Sequence, residues 1–504
     1  MATTKETSVD VNGLGVVNSL TVPYFVIASN AQGVQLSNEK SITPQELTSL
    51  TQYIKASNTR DESGFGDALS LSSDGRTLAV GALWEASNAT GINGDETDNS
   101  MIAGAVYLYR FDSGLWTQQA YLKASNTDDE DYFGSSVSLS SDGNTLAIGA
   151  PGEASNATGV NGNQADNSEA QSGAVYLFRF DSGVWLQQAY IKASETKAND
   201  NFGTSLALSS NGNILAVGKY QQESVYLFQF DSGSWSQQAK LKGSNTEPTD
   251  NFGSSISLSS DGLTLAVGAT GESSNATGID GDGTDNSEFG SGAVYIFRLD
   301  SGAWSQEAYI KASNTHSTDN FGSSVSLSSN GHTLAVGAKE DSSNATGVNG
   351  VQSDYSTPRS GAAYLFRFDS GTWSQQAYIK ASTPDIRDNF GVSVSLSHDR
   401  NTLAVGAHGE ASSATGVNGL QSDNSAPRSG TAYLFRFDSG VWSQQAYIKA
   451  PNAERGDNFG YSVSLSSDGK ALAVGAAAEA SNATGVNGNQ GDNSASYSGA
   501  AYLY

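Results

Sequence analysis

Cysteine is absent from the 504 residues, and methionine occurs only twice, histidine four times and proline eight times. Without cysteine there is no disulfide framework, no thiolate metal site and no cysteine nucleophile, so stability has to come from packing and hydrogen bonds. No run of roughly 18 apolar residues exists, so no membrane insertion is expected. The opening residues Met1 to Glu6 lack the basic-then-apolar layout of a signal peptide, so export, if it occurs, uses another route or a leader already removed. Basic residues are also scarce: 26 Lys and Arg stand against 52 Asp and Glu, for a net charge of −26. That balance argues against nucleic acid or an anionic membrane surface as partner. It suits divalent cations, basic partners or plain solubility.

Signs of catalysis are missing too. His316, His332, His398 and His408 occupy unrelated positions in the repeat described below. There is no zinc-type His-Glu-x-x-His, no Gly-x-Ser-x-Gly elbow and no phosphate-binding Gly-Lys loop. The expectation is a protein that is not an enzyme.

What the chain does contain is one unit copied seven times. The Phe-Gly pairs begin at Phe65, Phe133, Phe202, Phe252, Phe321, Phe390 and Phe459, in steps of 68, 69, 50, 69, 69 and 69 residues. A fixed long period signals a repeat architecture. In the second copy, Phe133 to Leu139 alternates apolar residues with serine, the period of a strand. Ser141-Asp142-Gly143-Asn144 reads as a hairpin turn. Thr145 to Ala150 is a second strand, followed by a long polar loop from Pro151 to Ser172. Ala174 to Phe180 is a third strand, apolar on both faces until Arg179. Trp185 to Ala193 is a fourth, polar enough for an exposed edge.

A strand apolar on both faces needs cover on both faces, which a ring of sheets supplies. The fold expected is therefore all-β, a seven-bladed β-propeller of four-stranded blades. The chain stops at Tyr504, on the third strand of the last copy. The missing fourth strand stands near the other end, where Tyr53-Ile54-Lys55-Ala56-Ser57 matches Tyr190-Ile191-Lys192-Ala193-Ser194. The propeller thus occupies residues 47–504, closed by an N-terminal strand. Residues 1–46 form an N-terminal extension or arm, with strand-like runs at Leu20–Ile27 and Val34–Leu36 and a turn at Asn30–Gly33.

With seven Phe-Gly openings, and second strands closing in Gly149-Ala150-Pro151 or a variant of it, the chain resembles FG-GAP repeat proteins, the units of the integrin α-chain propeller. Similar arrays occur in bacterial surface and secreted proteins and in integrin-like fungal lectins. The resemblance implies an extracellular or cell-surface binding protein. It also implies calcium, which integrin-type repeats often hold between strands one and two. Here that segment offers Ser138, Ser140 and a single carboxylate, Asp142. One carboxylate is too few for an ion that takes six to eight oxygens.

A second place for calcium is the loop between strands two and three. Six copies carry an acidic residue thirteen positions before another: Glu85/Asp98, Glu153/Asp166, Glu272/Asp285, Asp341/Asp354, Glu410/Asp423 and Glu479/Asp492. Carboxylates, side-chain amides and carbonyls freed by glycine are hard oxygen ligands, and these twelve residues are the candidate Ca2+ ligands. The same residue types also cap the backbone of a long loop through Asx-turns, so a self-capped loop is the competing reading. Asp131, Asp200, Asp250, Asp319, Asp388 and Asp457 read as turn or cap residues. Five loops carry the Asn-Ala-Thr glycosylation pattern, at Asn88, Asn156, Asn275, Asn344 and Asn482.

The third copy lacks the loop, leaving a notch in the rim that would expose Lys219 and Tyr220. Taken together, the chain reads as a non-enzymatic extracellular binding or adhesion module whose acidic loops face a protein or glycan ligand. The alternative is a structural subunit of a surface filament or other assembly, self-assembling through residues 1–46.

Overall fold

The computed structural model describes residues 27–30, 33–36, 48, 50–219 and 223–504. Most of the arm, and Tyr220, lie outside the described residues. Within the arm, Ile27–Asn30 pairs antiparallel with Gly33–Leu36, Asn30 standing opposite Gly33. The rest of the description is seven four-stranded antiparallel sheets in a ring, a β-propeller.

Each blade follows the order read from the sequence. In the second blade the strands are Ser136–Leu139, Thr145–Ala150, Ala174–Asp181 and Val184–Ile191. The first strands of neighbouring blades touch one another, which places them nearest the axis. Second strands are buried along their length, and third strands are buried until the arginine emerges. The seventh blade is Phe459–Leu465, Leu472–Ala476 and Ala500–Leu503, completed by Gln52–Ile54 from the other end of the chain. Tyr53 stands opposite Tyr502 in that closing pair, as Tyr190 stands opposite Tyr176 in the second blade.

The Phe-Gly signature is a device for joining blades. Phe133 meets Tyr176 edge-on at 5.3 Å in its own blade and packs in one cluster with Val106 and Leu108 of the blade before. Gly203 adopts φ +93°, and its carbonyl presses on the preceding blade, where a Cβ at Gly149 would lie 2.0 Å from the oxygen. The glycine that closes strand two is therefore required by the Phe-Gly of the next blade.

The serines alternating along strand one join blades as well. The Leu139 N–H donates to Ser70 Oγ of the preceding blade at 2.9 Å, and Leu208, Leu327, Leu396, Leu465 and Leu71 repeat the bond to Ser138, Ser257, Ser326, Ser395 and Ser464. Ala207 stands at the remaining position. Past these strands, backbone bonds circle the axis: Ser73 N–H to Ser141 O, Ser141 to Ser210, Ser210 to Ser260, Ser260 to Ser329, His398 to Ser467 and Ser467 back to Ser73. They leave a cavity of about 100 Å³ ringed by leucines such as Leu71, Leu139 and Leu208.

The fourth strand departs from the exposed edge read in the sequence. Its last residues, Ala189, Tyr190 and Ile191, are buried because the long loop returns to cover them. Asn161 N–H donates to Tyr190 O at 2.7 Å, Tyr190 N–H to Asn161 Oδ1 at 2.9 Å, and Lys192 N–H to Gly159 O at 2.8 Å. A blade edge that would otherwise offer unpaired backbone is thereby closed.

Candidate functional site

Because each loop folds over its own blade, its two acidic residues meet different surroundings. The first is buried. Glu153 Oε2 lies 2.7 Å from Lys192 Nζ, at the end of strand four, and neither side chain is more than 1% exposed. Tyr190 Oη donates to Glu153 Oε1 at 2.8 Å, and Asn126 Nδ2 donates to the same oxygen at 3.1 Å. Lys192 also donates to Ser172 Oγ at 2.7 Å. The ion pair recurs as Lys123–Glu85, Lys311–Glu272, Lys380–Asp341, Lys449–Glu410 and, across the ring closure, Lys55–Glu479, at 2.6–2.9 Å.

Burial lowers the affinity of these lysines for their protons, Lys192 included, while the carboxylate partner opposes the shift. A second buried acid sits nearby. Burial drives Asp131 up to about 8, and Glu153 raises it further. Its equivalents Asp319, Asp388 and Asp457 rise to about 8, 7 and 7 for the same first reason. Asp131 also accepts the Asp128 N–H at 2.9 Å, the cap role read in the sequence, and Asp200, Asp250, Asp388 and Asp457 make the same bond.

The second acidic residue of each pair lies at the surface. Asp166 Oδ1 accepts the N–H of Ser168 at 3.0 Å and its hydroxyl at 2.6 Å, which hold its pKa below the usual carboxylate value. Asp98, Asp285, Asp354, Asp423 and Asp492 accept the N–H two residues on in the same way. These are self-capping turns.

As placed, the twelve residues do not fit a calcium ion. Glu85, Glu153, Glu272, Asp341, Glu410 and Glu479 spend their oxygens on a buried ammonium and neutral donors, whereas Asp98, Asp166, Asp285, Asp354, Asp423 and Asp492 cap turns outside. Among the described residues, no three acidic or histidine side chains converge as ligands of one ion. Sequence reasoning missed the lysines. Their signal was present: a lysine stands 38 positions after Glu85 and 39 after Glu153, Glu272, Asp341 and Glu410, and Glu479 takes Lys55 from the closing strand.

The third blade is rewired. Lys219, expected to be exposed, is fully buried and ion-paired to Asp200 at 2.6 Å, because as the last residue of strand two it pairs with Phe202 and so stands beside that carboxylate. Lys242, at the position of Lys192, is 54% exposed and pairs with Glu223 at 2.8 Å. Lys240 replaces the tyrosine.

What the six loops present outward differs from blade to blade. Phe289, Val351 and Leu420, at loop tips of the fourth, fifth and sixth blades, are each at least 70% exposed. The FG-GAP repeat family model matches residues 116–178, 185–234, 235–297, 304–366, 373–435 and 442–504, well over half of the sequence. The chain belongs to the FG-GAP repeat family. Each match begins at a strand-four tryptophan, and residues 47–115 fall outside the matches.

No curated protein sequence matches the chain. Among solved structures it is similar to the WD40 repeats of RRP9, at 11% identity and a TM-score of 0.46 over 90% of this chain and 96% of that one. It is also similar to hydrazine synthase of Kuenenia stuttgartiensis, at 12% identity and 0.48 over 82% and 93%. Such values say nothing about activity or partners. FG-GAP propellers are typically non-catalytic binding scaffolds and are often extracellular. No helix among the described residues is long and apolar enough to cross a membrane.

Proposed function

We propose that this propeller is a non-enzymatic binding or adhesion module working outside the cell, and that its loop face engages a protein or glycan partner. One observation carries the reading: the loops have equivalent buried lysine–carboxylate anchors and dissimilar exposed residues. Lys192–Glu153 and its equivalents fix each loop to a rigid blade, while Phe289, Val351 and Leu420 offer apolar side chains to solvent. Variable side chains on a rigid scaffold are how loop faces recognise partners, and exposed apolar groups supply the energy. Calcium has no part in this reading, since the anchoring is done by lysine.

The test screens the full chain against a glycan array and a panel of surface proteins, beside Phe289→Ser/Val351→Ser/Leu420→Ser. Saturable binding that weakens about tenfold or more in the triple variant, at an unchanged melting temperature, is the expected result. An empty screen, or a triple variant that binds as the parent does, overturns it.

A further inference from the structure

The first blade differs from all the others at two neighbouring positions, one carrying an indole and one lacking a side chain. Trp84 stands where the second, fourth and sixth blades have Gly152, Gly271 and Gly409 and where the fifth and seventh have Glu340 and Ala478. In the blades with glycine the backbone closes onto it, and a Cβ at Gly152 would lie 1.8 Å from Glu130 O. Gly64 stands where the others have Tyr132 or asparagine. A Cβ there would come within 3.0 Å of the Trp84 ring and 2.5 Å of Asp67 Oδ2. Loss of a side chain at 64 thus admits the indole at 84.

The result is a groove of about 780 Å³ between the seventh and first blades. Its apolar walls are Trp84, Ile102 and Tyr497, at 42%, 46% and 57% exposed, an aromatic surface left open to solvent. Asp61, Glu62 and Asp129 line the same groove. Asp129 Oδ1 accepts the Ile102 N–H at 2.8 Å, which fixes the loop that forms one wall. None of the three carboxylates has an ion-pair partner among the described residues. The neighbouring cation, Arg60, directs its guanidinium to the backbone carbonyls of Glu96 and Asp98 and forms no ion pair with these carboxylates. Beside Gly64, Asp67 Oδ2 is buried without a hydrogen-bond partner, a further acidic group behind the indole.

Aromatic faces attract cations through their quadrupole, and flanking carboxylates with no counter-charge add to that attraction. We propose that this groove binds a cationic head group, an alkylammonium or guanidinium, against Trp84 and Tyr497, with Asp61, Glu62 and Asp129 balancing its charge. The proposal rests on the loop face being the binding face, and it names one site there and its ligand chemistry. Two sources could present such a head: a free quaternary amine, or a lysine or arginine side chain of a partner.

The experiment titrates the full chain with choline, with its neutral isostere 3,3-dimethylbutanol and with a lysine-rich hexapeptide, following the indole N–H signals by NMR. The variants are Trp84→Gly, which installs the residue of the second blade, and Asp61→Asn/Glu62→Gln, each checked by thermal melt. At least one cation should bind saturably and about tenfold tighter than the isostere, and Trp84→Gly should weaken it about tenfold. The double carboxylate variant should weaken it about threefold or more. Binding of choline alone identifies a free ammonium ligand, and of the peptide alone a partner side chain; either supports the site. Equal binding of the isostere, no saturable shift with either cation, or a Trp84→Gly variant that binds normally overturns it. If the triple tip variant loses its partner while Trp84→Gly changes nothing, the groove falls and the loop face stands.

Discussion

The second and third blades share their four strands and differ in one loop, and that single difference shows what the loop is for. In the second blade Lys192 is sealed beneath the loop against Glu153, Tyr190 and Ser172. In the third, the loop is cut short, and with it go the tyrosine and the burial of the lysine, while a glutamate, Glu223, stays buried. Lys242 stands half in water, and Lys219 finds Asp200 instead. The lysine loses its burial when the covering loop is lost, because loop and lysine form one unit. The deep acidic residue of such a loop satisfies a lysine, and the outer one caps a turn.

The largest effect should come from breaking that unit. Glu153→Ala leaves a buried ammonium with no counter-charge, a loss of about 3–5 kcal/mol in chemical denaturation. Glu223→Ala in the third blade should cost no more than about 1 kcal/mol, because water solvates Lys242. Equal losses would erase the distinction between the blades.

The ring closure offers a second contrast. Lys55 reaches Glu479 from the far end of the chain, yet its geometry matches that of Lys123 with Glu85. Lys55→Ala and Lys123→Ala should therefore destabilise alike, by about 3–5 kcal/mol each. A much smaller loss at Lys55 would mean that the closing strand is held less firmly than an ordinary fourth strand.

The buried aspartates make stability fall with pH. Asp131 and Asp319 are raised to about 8, and Asp388 and Asp457 to about 7, above the usual carboxylate value near 3.8. The folded state thus binds protons that the unfolded state releases. Their favourable contribution is full below pH 3.8 and is lost as pH rises through 7–8. The melting temperature should drop between pH 5 and 9, and Asp131→Asn should flatten part of that slope. A curve rising over this interval in both proteins would contradict the burial of these acids.

The smallest effect concerns the serine ring around the axis. Ala207 interrupts it at Leu258, where the second blade has Ser138 receiving Leu208 N–H. Ala207→Ser should add about 0.5–1 kcal/mol, one hydrogen bond. No gain would mean that the N–H of Leu258 is already satisfied.

The fold was legible because its cues are local and repeated: the period-two strands, the Asp-Gly hairpins, and a fourth strand missing at one terminus and present at the other. The site was not, because its chemistry joins residues 38 or 39 positions apart and, at the ring closure, 424. The acidic pairs were visible, but Lys192 lies in a strand that looked like a polar edge, and only the returning loop shows it buried. The role of the strand-one serines was hidden in the same way. Their alternation with valine showed a strand and nothing more; that Ser70 and Ser138 accept hydrogen bonds from the next blade is visible only in the ring. At Trp84 and Gly64 the signal was a pair of departures from the repeat, readable only once both are known to touch.

The most direct test is a double-mutant cycle on Glu153→Ala and Lys192→Ala, measured by chemical denaturation in millimolar calcium and again in excess chelator. The account predicts that the double variant loses far less than the two single losses combined, with a coupling of about 2–3 kcal/mol that is the same in both solutions. Additive losses, or a calcium-dependent stability that disappears with Glu153, would contradict it.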